Sequence, residues 1–600
     1  MTASIPEVLR EVAGAVPNKV ALREKEFGIW QETTYAGYWD LVSTVGMALW
    51  ALGVRSGDKV AIHSENRIAW VVTDLAAQGI QAVSVGLYPT NPAPEVEYLL
   101  GHSEAKVLVA EDQEQVDKAL EVRAGLPNLE RIVYVDPKGV STYRDPILLS
   151  WEDFLAMGHK QREETPALFD ELVDGIDSRT TATIVYTSGT TGPPKGAMLS
   201  HKNLLWTAGQ AKQIISGDRP EKDAEFLSYL PLCHVFGRLY DILGALSMRA
   251  TVNFAESIDT LVSDLAEVQP TYFPAPPRIW EKMKAATEIR MADASFLKRI
   301  LYGMFMKAGL RNVDRVMEKG SRGIVGTLTQ GLGWLFVFRA LRKKLGMGKC
   351  RQAISGAAPI APELLQFFMA LGVPIFEGWG MTETTALGTV NPADDVKLGT
   401  IGKALDGIEL KLGDDGEILI RHEGIFQGYF KNPEATAAAL ADGWLHTGDV
   451  GEWVGDHMRI IDRKKDIIIT AGGKNISPSE IEQKLKVSPY IKEAMVIGDK
   501  RKFISALIGI EFDTVANWAQ RKGITFTTYR DLSEKPEVIK LIRREVDRVN
   551  ADFARVEQIK KFHLIPKELD HDQGELTATL KVKRKVVEGL FEDLIEEMYA

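Results

Sequence analysis

The chain has 600 residues, 45% hydrophobic and 26% charged, enough for several domains, each with a core of its own. Lys plus Arg number 72 and Asp plus Glu 82, a formal net charge of −10, which argues against a nucleic-acid binder. Two cysteines, Cys233 and Cys350, are too few for a disulfide framework or a cysteine-built zinc site, and they predict a reducing, cytoplasmic setting.

The opening stretch MTASIPEVLREVAG lacks the basic start and apolar core of a secretory signal. Further on, DKVAIHS reads as a strand, IAWVVTDLAAQ as a helix, AVSVGL as a strand, PEVEYLLGH as a helix and KVLVAE as a strand. Strands alternating with helices through short loops predict βαβ units and a mainly parallel sheet.

Residues 281–345 carry 14 Lys/Arg against 5 Asp/Glu, a local charge of +9. Basic and apolar residues alternate there, as in FLKRILYGMFMKAGLR, a pattern that suits a partner helix, a solvated face or an interfacial membrane helix. The uncharged run 323–338 holds 16 residues and four glycines, short of the roughly 20 a spanning helix needs. A span is not expected, and of the three readings peripheral contact with an anionic membrane through 281–345 is the one adopted as the expectation.

From 411 to 451 the texture changes to short strands with DDG, HEG and ADG turns, predicting a small β-rich subdomain. A boundary is expected near Asp462, at the charged cluster DRKKD. In SPSE, Ser477 can cap a helix, Pro478 suits its first turn and Glu480 can complete a capping box. The expected class is α/β: an N-terminal domain of α/β subdomains plus the β-rich one over 1–461, then a smaller mobile α/β domain over 462–600.

The most informative stretch is YTSGTTGPPKGAMLSH, residues 186–201. A strand, TATIVYT, runs into a loop of Thr187, Ser188, Gly189, Thr190, Thr191 and Gly192, followed by Lys195. Hydroxyls and unhindered backbone N–H groups can wrap phosphate oxygens, and the lysine adds a point charge. The spacing is not that of a Walker A loop, because the lysine follows two prolines and no Ser or Thr follows it. EGWGMTE follows the apolar run VPIF and offers the flat face of Trp379 to a base, with stacking worth about 1–3 kcal/mol. In GWLHTGD, Asp449 is expected at a strand end, where a carboxylate can accept ribose hydroxyls.

With PLCHVFGR, SGAAP, LGTIGKAL, DRKKDIIITAGGKNISPSEIE and the terminal GELTATLKVKR, these motifs stand in one order. That ordered set resembles the AMP-forming acyl-CoA synthetases of the adenylate-forming superfamily, in particular the long-chain fatty-acid–CoA ligases, over nearly the whole chain. The resemblance implies two half-reactions: a carboxylate attacks ATP to give acyl-AMP and pyrophosphate, then the CoA thiol displaces AMP. It also implies that the C-terminal domain rotates between them.

By resemblance, the catalytic residues are Lys581, His234, Thr187 and Glu383, with Glu383 holding Mg²⁺. The loop 187–192 and Lys195 would take the phosphates, with Thr382 beside them. Gly356, Ala357 and Ala358 of SGAAP, with Trp379 and Gly380, would take the adenine, and Asp449, Ile461 and Arg463 the ribose side. Gly472 and Gly473 would line the pantetheine tunnel after rotation, and His234 would position the acyl carboxylate.

Lys581 is the better match for the catalytic lysine, although Lys581, Lys583 and Lys585 alternate and would share one face of a strand. Asp462 and Lys465 are both candidate hinges. The implied substrates are a fatty acid, ATP and CoA; another carboxylic acid, or transfer to a carrier protein, is the alternative. Nothing in the sequence sets an oligomeric state.

Overall fold

Short β-branched runs separated by helices fill the first third of the chain, and in three dimensions they make one twisted sheet. The protein, seen in a computed structural model, is described here over residues 3–187, 193–215, 223–570, 573–577 and 581–600. Its strands are β1 (Lys59–His63), β2 (Val83–Leu87), β3 (Ala105–Ala110), β4 (Arg131–Tyr134), β5 (Leu148–Ser150), β6 (Thr181–Thr187) and β7 (Lys195–Ser200). They lie in the order β7-β6-β2-β1-β3-β4-β5, parallel except for the β6–β7 pair. Helices Ile68–Gly79 and Ala93–Ser103 connect the strands as expected, and β2 is buried at every residue, as a strand covered on both faces must be.

A hairpin of two long helices, α1 (Phe296–Lys319) and α2 (Gly323–Lys344), lies against this body. The second sheet contains the parallel strands Tyr272–Ala275, β8 (Gln352–Ser355) and β9 (Ile375–Trp379). A two-residue strand, β10 (Gly428–Tyr429), returns to the first sheet beside β7. Then β11 (Trp444–Val454) and β12 (His457–Arg463) join Glu409–Leu412 and Glu417–Arg421 in a small antiparallel sheet, the expected β-rich unit. Beyond it, α3 (Pro478–Lys486) and strands Ile491–Ile497, Ile504–Ile510 and Ile559–Leu564 surround a separate hydrophobic core.

Four local expectations need correction. Ser477 does not cap α3 with its side chain; its hydroxyl donates instead to the carbonyl of Ile461 at 2.9 Å and to Asp462 at 2.7 Å. Asp462 takes over the capping, accepting from the Ser479 backbone N–H at 3.1 Å and the Ser479 hydroxyl at 2.8 Å. Lys581, Lys583 and Lys585 do not share a strand, because Lys583 is already the N-cap residue of the helix Arg584–Leu590. Asp449 lies inside the eleven-residue β11, not at a strand end. Finally, α2 runs for 22 residues, because it continues through the basic run Arg339–Lys344, so length alone does not exclude a span.

Candidate functional site

The C-terminal ends of β8 and β9 meet the β-rich sheet and the C-terminal segment at one crevice, the position at which α/β sheets generally bind ligands. The loop after β8 starts with Gly356, where a Cβ would lie 3.4 Å from the carbonyl of Gly378 and 3.5 Å from the Phe236 ring. Three separated motifs, SGAAP, EGWG and PLCHVFGR, are thereby packed together. Ala357, next in that loop, has φ +66, a conformation held by its surroundings. Ala357 and Ala358 are both exposed.

After β9 the chain turns sharply. A Cβ on Gly380 would fall 2.3 Å from the Ala386 carbonyl, so only glycine fits there. The turn leaves Trp379 half-buried and buries Thr382 and Glu383. The indole N–H of Trp379 donates to Asp449 at 2.9 Å, and the other carboxylate oxygen of Asp449 lies 2.6 Å from Nε of Arg463, its cross-strand partner. Burial pushes the Asp449 carboxyl up, while Arg463 and the Trp379 N–H pull it back. These three residues form one cluster with both carboxylate oxygens engaged.

Glu383 is tied from the other side. The phenol of Tyr429 donates to its Oε1 at 2.6 Å, and the backbone N–H of Phe426 donates to the Glu383 carbonyl at 2.9 Å. The Tyr429 ring also lies 5.0 Å from the ammonium of Lys195, within cation–π range. Because β10 pairs with β7, the same tyrosine joins the strand after the phosphate-type loop to the acidic residue after β9. Thr187 donates to the Lys195 carbonyl at 3.3 Å. Ser188, Gly189, Thr190, Thr191 and Gly192 lie outside the described residues.

Lys581 comes to the same place from the far end of the chain. Its ammonium donates to the Ala357 carbonyl at 2.8 Å. The residue keeps an open side to solvent, yet burial pushes its pKa down to about 8, Arg463 pushes the same way and Asp449 opposes both. Lys583 points elsewhere, with its ammonium 3.9 Å from Glu95.

His234, half-buried, accepts from the Phe236 backbone N–H through Nδ1 at 3.1 Å. Burial lowers it to about 4, with the Lys581 ammonium contributing, so the ring is neutral near pH 7. The next turn is anchored by Arg238, whose guanidinium lies 2.7 Å and 2.8 Å from the two oxygens of Asp74 in a fully buried pair.

Gly472 and Gly473 stand apart from this crevice. They form an exposed turn closed by the Gly473 N–H to the Thr470 carbonyl, and a Cβ on Gly473 would meet open space. Ile461 is partly exposed on β12, and its carbonyl holds Ser477.

Two residues at or near this site, Tyr429 and Asp74, lie outside every motif used in the sequence reading, and a third, Glu377, opens EGWGMTE without an expected role. Tyr429 bridges Glu383 and Lys195. Asp74, distant in sequence, balances Arg238. Glu377, two residues before Trp379 and buried, is pushed up to about 8 by burial, and its Oε2 has no hydrogen-bond partner among the described residues. Ser355, its register partner on β8, likewise leaves Oγ buried and unpartnered.

The family profile of AMP-binding enzymes matches residues 9–430, and that of the AMP-binding enzyme C-terminal domain matches 465–600. The long-chain-fatty-acid–CoA ligase FadD15 of Mycobacterium tuberculosis (strain ATCC 25618 / H37Rv) is 34% identical over 97% of this chain and 95% of its own length. The long-chain-fatty-acid–CoA ligase ACSBG2 of Rattus norvegicus is 32% identical over 100% of this chain and 93% of its own. Among solved structures, the anthranilate CoA ligase AuaEII in complex with anthranoyl-AMP superposes with a TM-score of 0.71 at 21% identity, covering 99% of this chain and 98% of that one. The O-succinylbenzoate CoA synthetase MenE of Bacillus subtilis, in complex with ATP and magnesium ion, gives 0.65 at 20% identity, covering 96% and 98%. Profile and relatives span nearly the full chain and agree with the geometry of the crevice: the chain belongs to the AMP-binding enzyme family.

Proposed function

We propose that this protein activates a long-chain fatty acid with ATP and transfers the acyl group to CoA. In the first step a carboxylate oxygen attacks the α-phosphorus, the bond to pyrophosphate breaks and acyl-AMP forms. In the second, the CoA sulfur attacks the acyl carbon, AMP departs with the bonding electrons and the thiol proton is lost. The observation that carries the chemistry is the ammonium of Lys581 held at the Ala357 loop beside the Asp449–Arg463 pair. A cation there can neutralise charge that builds between the carboxylate and the α-phosphate. The acyl class rests on the full-length relatives, which are named as long-chain-fatty-acid–CoA ligases.

Each residue then takes a defined role. Trp379 presents its ring to the adenine, with Gly356, Ala357 and Gly380 letting the base come close. Asp449 and Arg463 face the ribose, with Ile461 two positions before Arg463 on β12, and Thr382, Thr187 and Lys195 hold phosphate. His234, neutral near pH 7, positions the acyl carboxylate without adding charge.

The donor set fits Mg²⁺: Glu383 is a buried carboxylate with one oxygen fixed by Tyr429, and oxygen ligation shared with substrate phosphates suits that hard cation. When bound, the ion would neutralise phosphate charge. Residues 462–600 would then turn about the segment from Asp462 to Lys465, bringing the Gly472–Gly473 turn to the crevice for the CoA step. The family's C-terminal profile, which begins at 465, supports that boundary. Two buried free cysteines suit the cytoplasmic setting.

Pyrophosphate release with palmitate, acetate or coumarate, each with and without CoA, tests this reading. Release with palmitate and a palmitoyl thioester when CoA is present are expected. No palmitate-dependent release would overturn the acyl assignment, and adenylation without thioester would point to a carrier-protein acceptor.

A further inference from the structure

Exposed apolar side chains are unevenly spread over this molecule. Eleven of the 22 strongly exposed large apolar residues among those described fall between Phe296 and Phe336, on the α1–α2 hairpin. On α1 the row is Phe296, Ile300 and Met304; on α2 it is Ile324, Leu328 and Leu332, each at a spacing that repeats on one helical face. Phe305 of α1 stacks with Phe336 of α2 at 6.4 Å, and Asn312 of α1 donates to the Gly326 carbonyl at 3.1 Å, so the helices run antiparallel in close contact. Both rows therefore sit on one two-helix unit and are open to solvent, and exposed apolar side chains clustered in this way mark an interaction site.

Charge distinguishes the possible occupants. Between 296 and 344 there are 11 Lys/Arg and 2 Asp/Glu, a net charge of +9. All the cations except Arg342 are exposed, and among the described residues none of these exposed cations is in an ion pair. A second copy of the chain docking face to face would set +9 against +9, which disfavours a two-fold dimer here. An apolar ridge collared by unpaired cations instead matches the boundary of an anionic bilayer, with apolar tips among the acyl chains and cations at the headgroups.

By length and composition α2 could cross a membrane: it has 22 residues, and its most apolar 18-residue stretch has a mean hydropathy of 1.3. Its attachments argue against that. Arg342 donates to the carbonyls of Met347, Cys350 and Gly372 in the protein body, and Gln330 donates to the Ala370 carbonyl. At its other end α2 is held by Asn312 to α1, which is too basic to enter hydrocarbon. A spanning α2 would break these contacts at both ends.

We propose that the α1–α2 hairpin is a monotopic membrane-docking element, lying in the surface of anionic bilayers on the ridge that runs from Phe296 to Ile324. The inference is independent of the acyl assignment, since the surface is complete without any substrate.

Co-sedimentation of the whole protein with phosphatidylcholine vesicles, with and without phosphatidylglycerol, at low and high salt, tests it. Expected are strong binding to the phosphatidylglycerol vesicles, weaker binding in high salt and release by alkaline carbonate. Leu328→Glu with Leu332→Glu should weaken binding by about tenfold or more, and Lys298→Gln with Arg299→Gln should reduce its salt dependence. Brominated lipid should quench a component of tryptophan emission that is missing in Trp334→Phe, a readout that needs no disruptive variant. Failure to sediment, sedimentation indifferent to the glutamates, or resistance to carbonate overturns the proposal. So does a dimer that the glutamates dissociate while vesicle binding is unchanged.

Discussion

The ammonium of Lys581 lies 2.8 Å from the carbonyl oxygen of Ala357, although 224 positions separate them in sequence. This contact brings the last segment of the chain to the loop after β8, where Asp449, Arg463 and Trp379 already converge. The expected consequence is that Lys581→Ala lowers palmitate-dependent ATP–pyrophosphate exchange by about 100-fold or more, the scale of losing one preorganised charge contact. Thioester formation from supplied acyl-AMP should change far less. Equal losses in both half-reactions would count against the role.

The same lysine sets a pH dependence. Its pKa is lowered to about 8, so the ammonium loses its proton as pH rises through that value, and kcat/KM for adenylation should fall there. Lys581→Arg keeps its charge and should move the decline to higher pH. A flat profile between pH 7 and 10, compared across both proteins, would sink the assignment.

Tyr429 holds Oε1 of Glu383 at 2.6 Å. Groups that orient a ligand typically change metal affinity by about 10–100-fold when removed. Tyr429→Phe should therefore raise the Mg²⁺ concentration needed for half-maximal activity, with Glu383→Gln having the larger effect. Calorimetric titration of Mn²⁺ with ATP present gives a readout separate from turnover; identical isotherms for wild type and Tyr429→Phe would refute it.

Glu377 carries a stability signature. Burial lifts its pKa from 4.5 to about 8, so the folded protein holds a proton that the unfolded chain releases between those values. Stability from this group is full below about pH 4.5 and falls as pH rises towards 8, a loss on the order of a few kcal/mol. Glu377→Gln removes the titrating group, so its thermal midpoint should exceed that of wild type at pH 8 and approach it near pH 5. A midpoint difference that does not change with pH would exclude the effect.

The Asp74–Arg238 pair gives a fifth expectation. Removing one partner of a buried ion pair leaves an uncompensated charge and typically costs about 3–5 kcal/mol. Asp74→Ala should lower stability on that scale in denaturant titration, and the double variant Asp74→Leu/Arg238→Met should recover much of the loss.

Local signals in the sequence determined much of the outcome. The alternation of β-branched runs and helices in 58–111 predicts β1, β2, β3 and their helices, because burial on both faces imposes unbroken apolar strands. The ordered motifs around Lys195, Trp379, Glu383, Asp449 and Lys581 supply the chemistry, since glycines, hydroxyls and isolated charges at those spacings have few structural uses. Local signals misled where two elements compete for one side chain. Ser477 is a good cap by pattern, yet Asp462 on β12 reaches the same helix start and displaces it.

What only the tertiary structure decided are the relationships between distant segments. The preference for Lys581 over Lys583 depends on which ammonium reaches Ala357, and that depends on the docking of the C-terminal segment. Tyr429 and Asp74 acquire meaning only when β10 and the helix Ile68–Gly79 are packed against their partners. The +9 segment was legible as a charge imbalance from the first, but charge and hydropathy along a chain do not say which side chains share a face. Helix pairing in the α1–α2 hairpin decides that, by burying Asn312 and Phe338 while leaving Ile324 and Phe296 to solvent.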